Sequence, residues 1–254
     1  MTMFDGRLIL LIALVITSTV PAMAARNGDK SLGWPGQTLA GADCQGDHQG
    51  FGPFDYTDPT YTVDGNYTRH GRNQAPLRTV EYVHFTPKVE QLISGHTGAD
   101  PIRDLDYTLR AFPNHHRALY AVIRYFLRSP PSTRKNRQAD EFRPGYKGAP
   151  PPECYLQRAQ SFAPEDGMVP ALFGLYLHRL DDLDGALRQY EAAEKQLGPA
   201  APAEFFYNRG LLHFDRGEYS EAQQYADKAY AMNYQLPGLR RKLERLERLE
   251  RLER

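Results

Sequence analysis

Leu172-Phe173-Gly174-Leu175 and Asn208-Arg209-Gly210-Leu211 open two stretches of this chain that match each other. Three small residues coincide at a single offset: Gly174 with Gly210, Ala186 with Ala222 and Ala193 with Ala229, each pair 36 residues apart. The spacings of 12 and 7 residues between them are therefore the same in both copies. Larger apolar residues accompany them: Leu172, Leu175, Leu177, Leu183, Leu187 and Tyr190 in the first copy, Phe206, Leu211, Phe214, Tyr219 and Tyr225 in the second. A small residue at a fixed place in each of two helices is what close packing requires, because a longer side chain would hold the backbones apart. A unit of this length cannot bury its apolar face alone, so neighbouring copies must stack.

The stretch from Glu165 to Tyr234 resembles the tetratricopeptide (TPR) repeat, a helix-turn-helix unit with a usual period of about 34 residues. The chain is similar in this respect to TPR proteins of the bacterial cell envelope. The resemblance implies an all-α fold, a solenoid of TPR-type hairpins with two recognisable repeats over 164–234. Pro170 and Phe206 stand where the family prefers tryptophan, and Ala226 replaces the larger residue represented by Tyr190. The longer period is absorbed by Gly198-Pro199-Ala200-Ala201-Pro202, an extended turn between repeats. Upstream, over 86–163, degenerate copies are expected. Cys154 to Ala159 with Pro164 resembles the second helix of a repeat whose first helix is Asn114 to Leu127, and Leu105 to Pro113 resembles the second helix of one still earlier. Between Asn114–Leu127 and Cys154 lies a proline-rich basic loop, 129–152.

Residues 235–254 read as a C-terminal helix built of Leu-Glu-Arg triplets from Leu243 onward. A leucine every three residues drifts by about 60° per step around a helix, so it cannot hold a coiled-coil seam. Leu236, Leu239 and Leu243 are placed to cap the open end of the solenoid.

At the other end, Leu8 to Val20 carries no charge, follows Arg7 and precedes Pro21-Ala22-Met23-Ala24-Ala25. Thirteen helical residues reach only about 20 Å, short of the roughly 30 Å hydrocarbon core. With a small-x-small site at Ala22 and Ala24, residues 1–24 read as a signal peptide and the chain as periplasmic or secreted, without a stable membrane span after cleavage. An oxidising compartment makes a Cys44–Cys154 disulfide conceivable, although sequence alone leaves two free cysteines equally open. Residues 25–85 are rich in Gly, Pro, Asp and Asn with no helical period, and read as an irregular segment. Their aromatic residues, Trp34, Phe51, Phe54, Tyr56, Tyr61 and Tyr67, are costly to leave in water, so the segment is expected to drape over the helical body. Helical signals begin at Thr86-Pro87 and run through Val89 to Ile93, stopping at Gly95. Asn114 is expected to cap the helix that follows.

The chain has 254 residues, with 31 Lys+Arg against 31 Asp+Glu, which gives no basic excess for nucleic acid. The mean hydropathy of −0.60 excludes a multi-span membrane protein. No nucleophile elbow, zinc-binding His-Glu-x-x-His, phosphate loop or Cys-x-x-Cys occurs, so no cofactor, metal or catalytic residue is implied. An enzyme alternative, an envelope hydrolase or metal-dependent site in the N-terminal region, would draw on Cys44, His48, Asp55 and His84. The TPR resemblance instead implies that the first helix of each repeat lines a concave groove for a protein or peptide. Carried onto this chain, the lining is Arg117, Tyr120, Arg124 and Arg128, then His178 and Arg179, then Tyr207, Asn208 and Leu211. Arginines interleaved with tyrosines suit an acidic partner. The family's carboxylate clamp is not matched, because its places in the middle copy hold Ala171 and Leu175.

Purified from exporting cells, the chain is expected to begin at Ala25. Intact-protein mass spectrometry checks this, and a retained Met1 would refute cleavage.

Overall fold

A computed structural model describes residues 31–68, 73–128 and 149–252. The expected signal peptide and residues 129–148 of the expected basic loop lie outside the described residues. Among those described there are eleven α-helices and no strand. In chain order the helices are α1 (Pro59–Thr62), α2 (Pro76–His84), α3 (Pro87–Glu90), α4 (Ile102–Ala111) and α5 (His116–Leu127). Then follow α6 (Pro152–Phe162), α7 (Met168–Arg179), α8 (Leu183–Leu197), α9 (Ala203–Asp215), α10 (Tyr219–Ala231) and α11 (Gly238–Leu252).

Helices α7 and α8 pack along their lengths, as do α9 and α10, and these are the two most extensive pairings. Turns at 180–182 and 216–218 join them, short enough to make each pair antiparallel. Asp181 and Gly217, also 36 residues apart, both take left-handed backbone in those turns, with φ of 65° and 78°. The small residues lie at the helix contacts: Ala186, Ala193, Ala222 and Ala229 are all fully buried. A Cβ added at Gly174 would sit 3.0 Å from the Tyr190 ring, and one at Gly210 would sit 3.3 Å from Cβ of Tyr225 and from the Ala222 carbonyl.

The hairpins differ where the copies differ. Tyr190 closes over Gly174 in the first, whereas Ala226 occupies the equivalent place in the second and leaves space. Leu239 of α11 fills it, its Cδ2 only 2.5 Å from the position a Gly210 Cβ would take. Leu239 is fully buried and Leu243 is 6% exposed, so α11 covers the free side of the second hairpin. Leu236, expected to share this role, is 55% exposed instead because it precedes the helix.

Upstream, α4 packs on α5, α5 on α6, and both α5 and α6 on α7. The segment before them is held by specific contacts. Cys44 and Cys154 form a disulfide that ties the segment to α6. Trp34 meets Tyr155 edge-on at 5.2 Å, and Phe54 packs against Phe51, Tyr61 and Phe112. The fully buried Glu153 accepts the Leu39 amide and the Tyr176 hydroxyl, both at 3.0 Å.

Three expectations are corrected. Helices α1 and α2 lie within 25–85, which the sequence reading leaves irregular. Helix α2 buries only Pro76 and Val80, too few apolar positions to produce a visible period. The helix expected from Pro87 through Ile93 starts as expected but is a single turn, α3, because Leu92 takes left-handed backbone (φ 60°) before Gly95 is reached. Asn114 does not cap α5. The His115 ring does, Nδ1 accepting the Ala118 amide at 3.2 Å, while the fully buried Asn114 turns away to bond Tyr56, Asp55 and Asp166.

If Leu239 fills the space beside Gly210, Leu239→Ala should cost about 2–5 kcal/mol in urea unfolding, while Leu249→Ala on the exposed side should stay within about 0.5 kcal/mol. Equal effects would remove α11 from the packing argument.

Candidate partner-binding groove

Helices α5, α7, α9 and α11 contact one another in succession, each beside the next. Each carries one face of half-buried or exposed residues, of which Leu172 and Leu211 still pack against the core. On α7 that face carries Met168, Leu172, Leu175 and Arg179; on α9 the residues 36 positions later are Glu204, Asn208, Leu211 and Asp215. On α5 it carries Arg117, Tyr120, Arg124 and Arg128. Two observations join these faces. His178 of α7 bonds Asp215 of α9 at 3.0 Å, and Lys242 of α11 reaches the same carboxylate at 2.7 Å. Tyr234, just past α10, lies near enough to Glu204, Tyr207, Tyr120 and Tyr230 for their charges to add to the effect of burial, which pushes its hydroxyl up to about 12.

The expected lining residues fall into different environments. Arg117 forms a two-pronged ion pair with Glu90, at 2.9 and 2.5 Å, and reaches Glu81 at 3.2 Å. Its guanidinium lies over the Phe85 ring, and the Arg117 hydrogen bond holds the Glu90 carboxyl below its usual value. Arg124 donates to the Glu90 carbonyl and stacks over Tyr120. These two arginines are therefore neutralised or occupied within the chain. Arg128 and Arg179 are exposed and make no ion pair among the described residues. Tyr120 is 41% exposed, and Asn208 and Leu211 are half-buried. Tyr207 is buried instead, with its ring 4.7 Å from that of Tyr234.

Met168, Leu172, Leu175, Glu204 and Tyr234 were missed as lining. The 36-residue offset could have found Leu172 and Leu175, since they are equivalent to Asn208 and Leu211, whereas Met168 and Glu204 are equivalent only to each other. Tyr234 follows the second copy, where no offset reaches it.

Of the residues in the enzyme alternative, Cys44 is in the disulfide and carries no thiol. The His48 carbonyl accepts from Arg110, and the Asp55 carboxylate holds Thr57 and Asn114. His84 bonds Asp104 at 2.7 Å and stacks on Tyr107. Among the described residues no group of three His, Cys, Asp or Glu side chains is placed to hold a metal ion.

His115 sits behind the α5 face, fully buried, with Nε2 directed at Glu81 at 3.2 Å and Tyr56 stacked at 4.3 Å. Because Nδ1 accepts the Ala118 amide, the single proton of the neutral ring lies on Nε2. Burial pushes the imidazole below its ordinary value of 6.5. The unfolded chain takes up a proton that the folded chain resists, so this contribution to stability is complete above about pH 6.5 and is lost as the pH falls through the lowered value. His115→Asn keeps an acceptor for the cap and does not titrate. Urea unfolding at about pH 7.5 and 5.5 should show a smaller acid loss for the variant than for the parent.

Comparison with protein-family models, curated proteins and solved structures gives no match to this chain.

Proposed function

We propose that the chain is an exported scaffold whose TPR-type hairpins bind a protein or peptide of the cell envelope along the face shared by α5, α7 and α9. The observation that carries this reading is the pairing of a half-buried apolar strip, Leu172, Leu175 and Leu211 with the exposed Tyr120, with two arginines that make no ion pair among the described residues, Arg128 and Arg179. An amphipathic segment would lay its apolar side on the strip, and its acidic side chains would meet the arginines. The repeat of small residues at 36 positions, in register with the repeat of turn geometry at Asp181 and Gly217, supports a TPR-type arrangement of the hairpins. Action of this kind is recruitment, with no bond made or broken.

The test places a photoreactive side chain at Leu175, Leu211 or, as a control on exposed α10 surface, Gln224, in the exporting cell. One common adduct is expected at the first two positions and none at the control. Arg128→Glu with Arg179→Glu should weaken capture of that partner about tenfold or more, with far-UV circular dichroism unchanged. Adducts of equal yield at Gln224, or capture insensitive to both substitutions, would refute the groove.

A further inference from the structure

Helix α11 presents a second surface, independent of the groove, and its residues sort by direction. At about 100° per residue, with Leu239 as zero, Leu243 lies near 40° and Leu246 near 340°, which is the side packed on the second hairpin. The triplet then carries its leucines away: Leu246 is half-buried, Leu249 is 49% exposed and Leu252 is 79% exposed. The charged residues drift with them. Glu244 and Glu247, near about 140° and 80°, line a cleft against Asp227 and Tyr230 of α10 together with Arg240. Lys242, near about 300°, turns to α9 and pairs with Asp215. Arg241, Arg245 and Arg248 fall near about 200°, 240° and 180°, on the side facing neither helix. They are exposed and make no ion pair among the described residues. Leu252 lies among them near about 220°, with Leu249 at the border near about 280°. Helix α11 therefore turns outward a face of three unpaired guanidinium groups and two exposed leucines with no carboxylate between them.

We propose that this face docks on the surface of an anionic lipid bilayer. Guanidinium groups pair with lipid phosphates in the two-pronged geometry they use for carboxylates. One leucine within a basic face and another at its border can enter the headgroup boundary, the arrangement by which interfacial helices lie in a membrane without crossing it. No helix among the described residues is long and apolar enough to cross a bilayer, so the contact is peripheral. A second copy of α11 fits less well, because the outward face would bring like charges together. An acidic protein would satisfy the arginines without requiring exposed leucines.

The experiment is sedimentation of the full chain with vesicles of phosphatidylcholine alone and of phosphatidylcholine with phosphatidylglycerol. The readout is the ratio of the two partition coefficients, so that any contribution of Leu8 to Val20 common to both surfaces cancels. A strong preference for the anionic vesicles, falling with salt, is expected. Arg241→Gln, Arg245→Gln and Arg248→Gln together should reduce anionic partitioning about a hundredfold, at roughly 1 kcal/mol per arginine. Leu249→Ala with Leu252→Ala should reduce it about tenfold or more. Glu244→Gln with Glu247→Gln, on the α10 side, should not reduce it. Equal binding to both vesicle types, or binding unchanged in the arginine variant, would overturn the proposal. So would binding to polyglutamate without binding to vesicles, or a concentration-dependent dimer abolished by the leucine substitutions. The groove substitutions at Arg128 and Arg179 leave this face intact, so either reading can fail without the other.

Discussion

The close approach of helices at Gly174 and Gly210 is the constraint on which the rest of the helical body depends. A hairpin of two helices can bury its inner faces only as tightly as the bulkiest crossing residue allows. At Gly174 the absent side chain admits the Tyr190 ring, and the ring's width sets the spacing of α7 and α8. At Gly210 the facing residue is smaller, and the same absence admits Leu239 from outside the hairpin. One local feature thus has two outcomes. The first hairpin is closed by its own tyrosine, whereas the second is completed only by α11. The direction of α11 follows, and with it which of its residues face α9, which face α10 and which face neither.

A second constraint is polar and acts on the segment before α4. Arg158 is 1% exposed, yet its guanidinium finds the Gly33 and Leu109 carbonyls, the Gln49 side chain and the face of Trp34. Burial lowers its pKa to about 10, still far above neutrality, so the charge persists inside the protein. A buried cation without partners would cost several kcal/mol, so once α6 carries Arg158 inward, the N-terminal segment must supply acceptors. Asp106 repeats the logic with opposite sign: burial raises its carboxyl, and Arg110 at 2.8 Å and the Tyr155 hydroxyl at 2.7 Å offset only part of that rise. The segment is therefore part of the core's hydrogen bonding, although it has little regular structure of its own.

These two constraints differ in how far the sequence reveals them. Helical hairpins were legible because the small residues recur at one offset, and the backbone distance they serve is the same in each copy. The polar attachments were not, since the N-terminal partners of Arg158 and Glu153 lie more than a hundred residues away and no local pattern records them. The Cys44–Cys154 bridge spans 110 residues, and only the meeting of α6 with the segment decides it. Asn114 illustrates the limit at a single position. Its local setting is that of a helix cap, but the cluster of Asp55 and Asp166 around it outcompetes that role, and the neighbouring His115 takes the cap. The groove was legible as a stripe on α5, but helical periodicity gives direction and not neighbours. That Glu90 of the one-turn helix α3 would occupy both Arg117 and Arg124 was invisible.

Charge is where composition and structure diverge most. Equal numbers of acids and bases make the sequence look featureless, and surface charges that pair with each other present little to a partner. The structure does not pair them evenly. Arg117, Arg209, Arg216 and Lys242 are consumed by Glu90, Glu194, Asp184, Glu218 and Asp215. Among the exposed cations that make no ion pair among the described residues are Arg128 and Arg179 on one face and Arg241, Arg245 and Arg248 on another. The triplets supply Arg245 and Arg248, each following its glutamate around α11 by about 100°, while Arg241 precedes the first triplet. A half-turn of that drift puts the acids toward α10 and the bases toward solvent. Surface potential in this protein is accordingly a product of packing, set where α11 docks over Gly210, and a net charge of zero is no measure of what its faces attract.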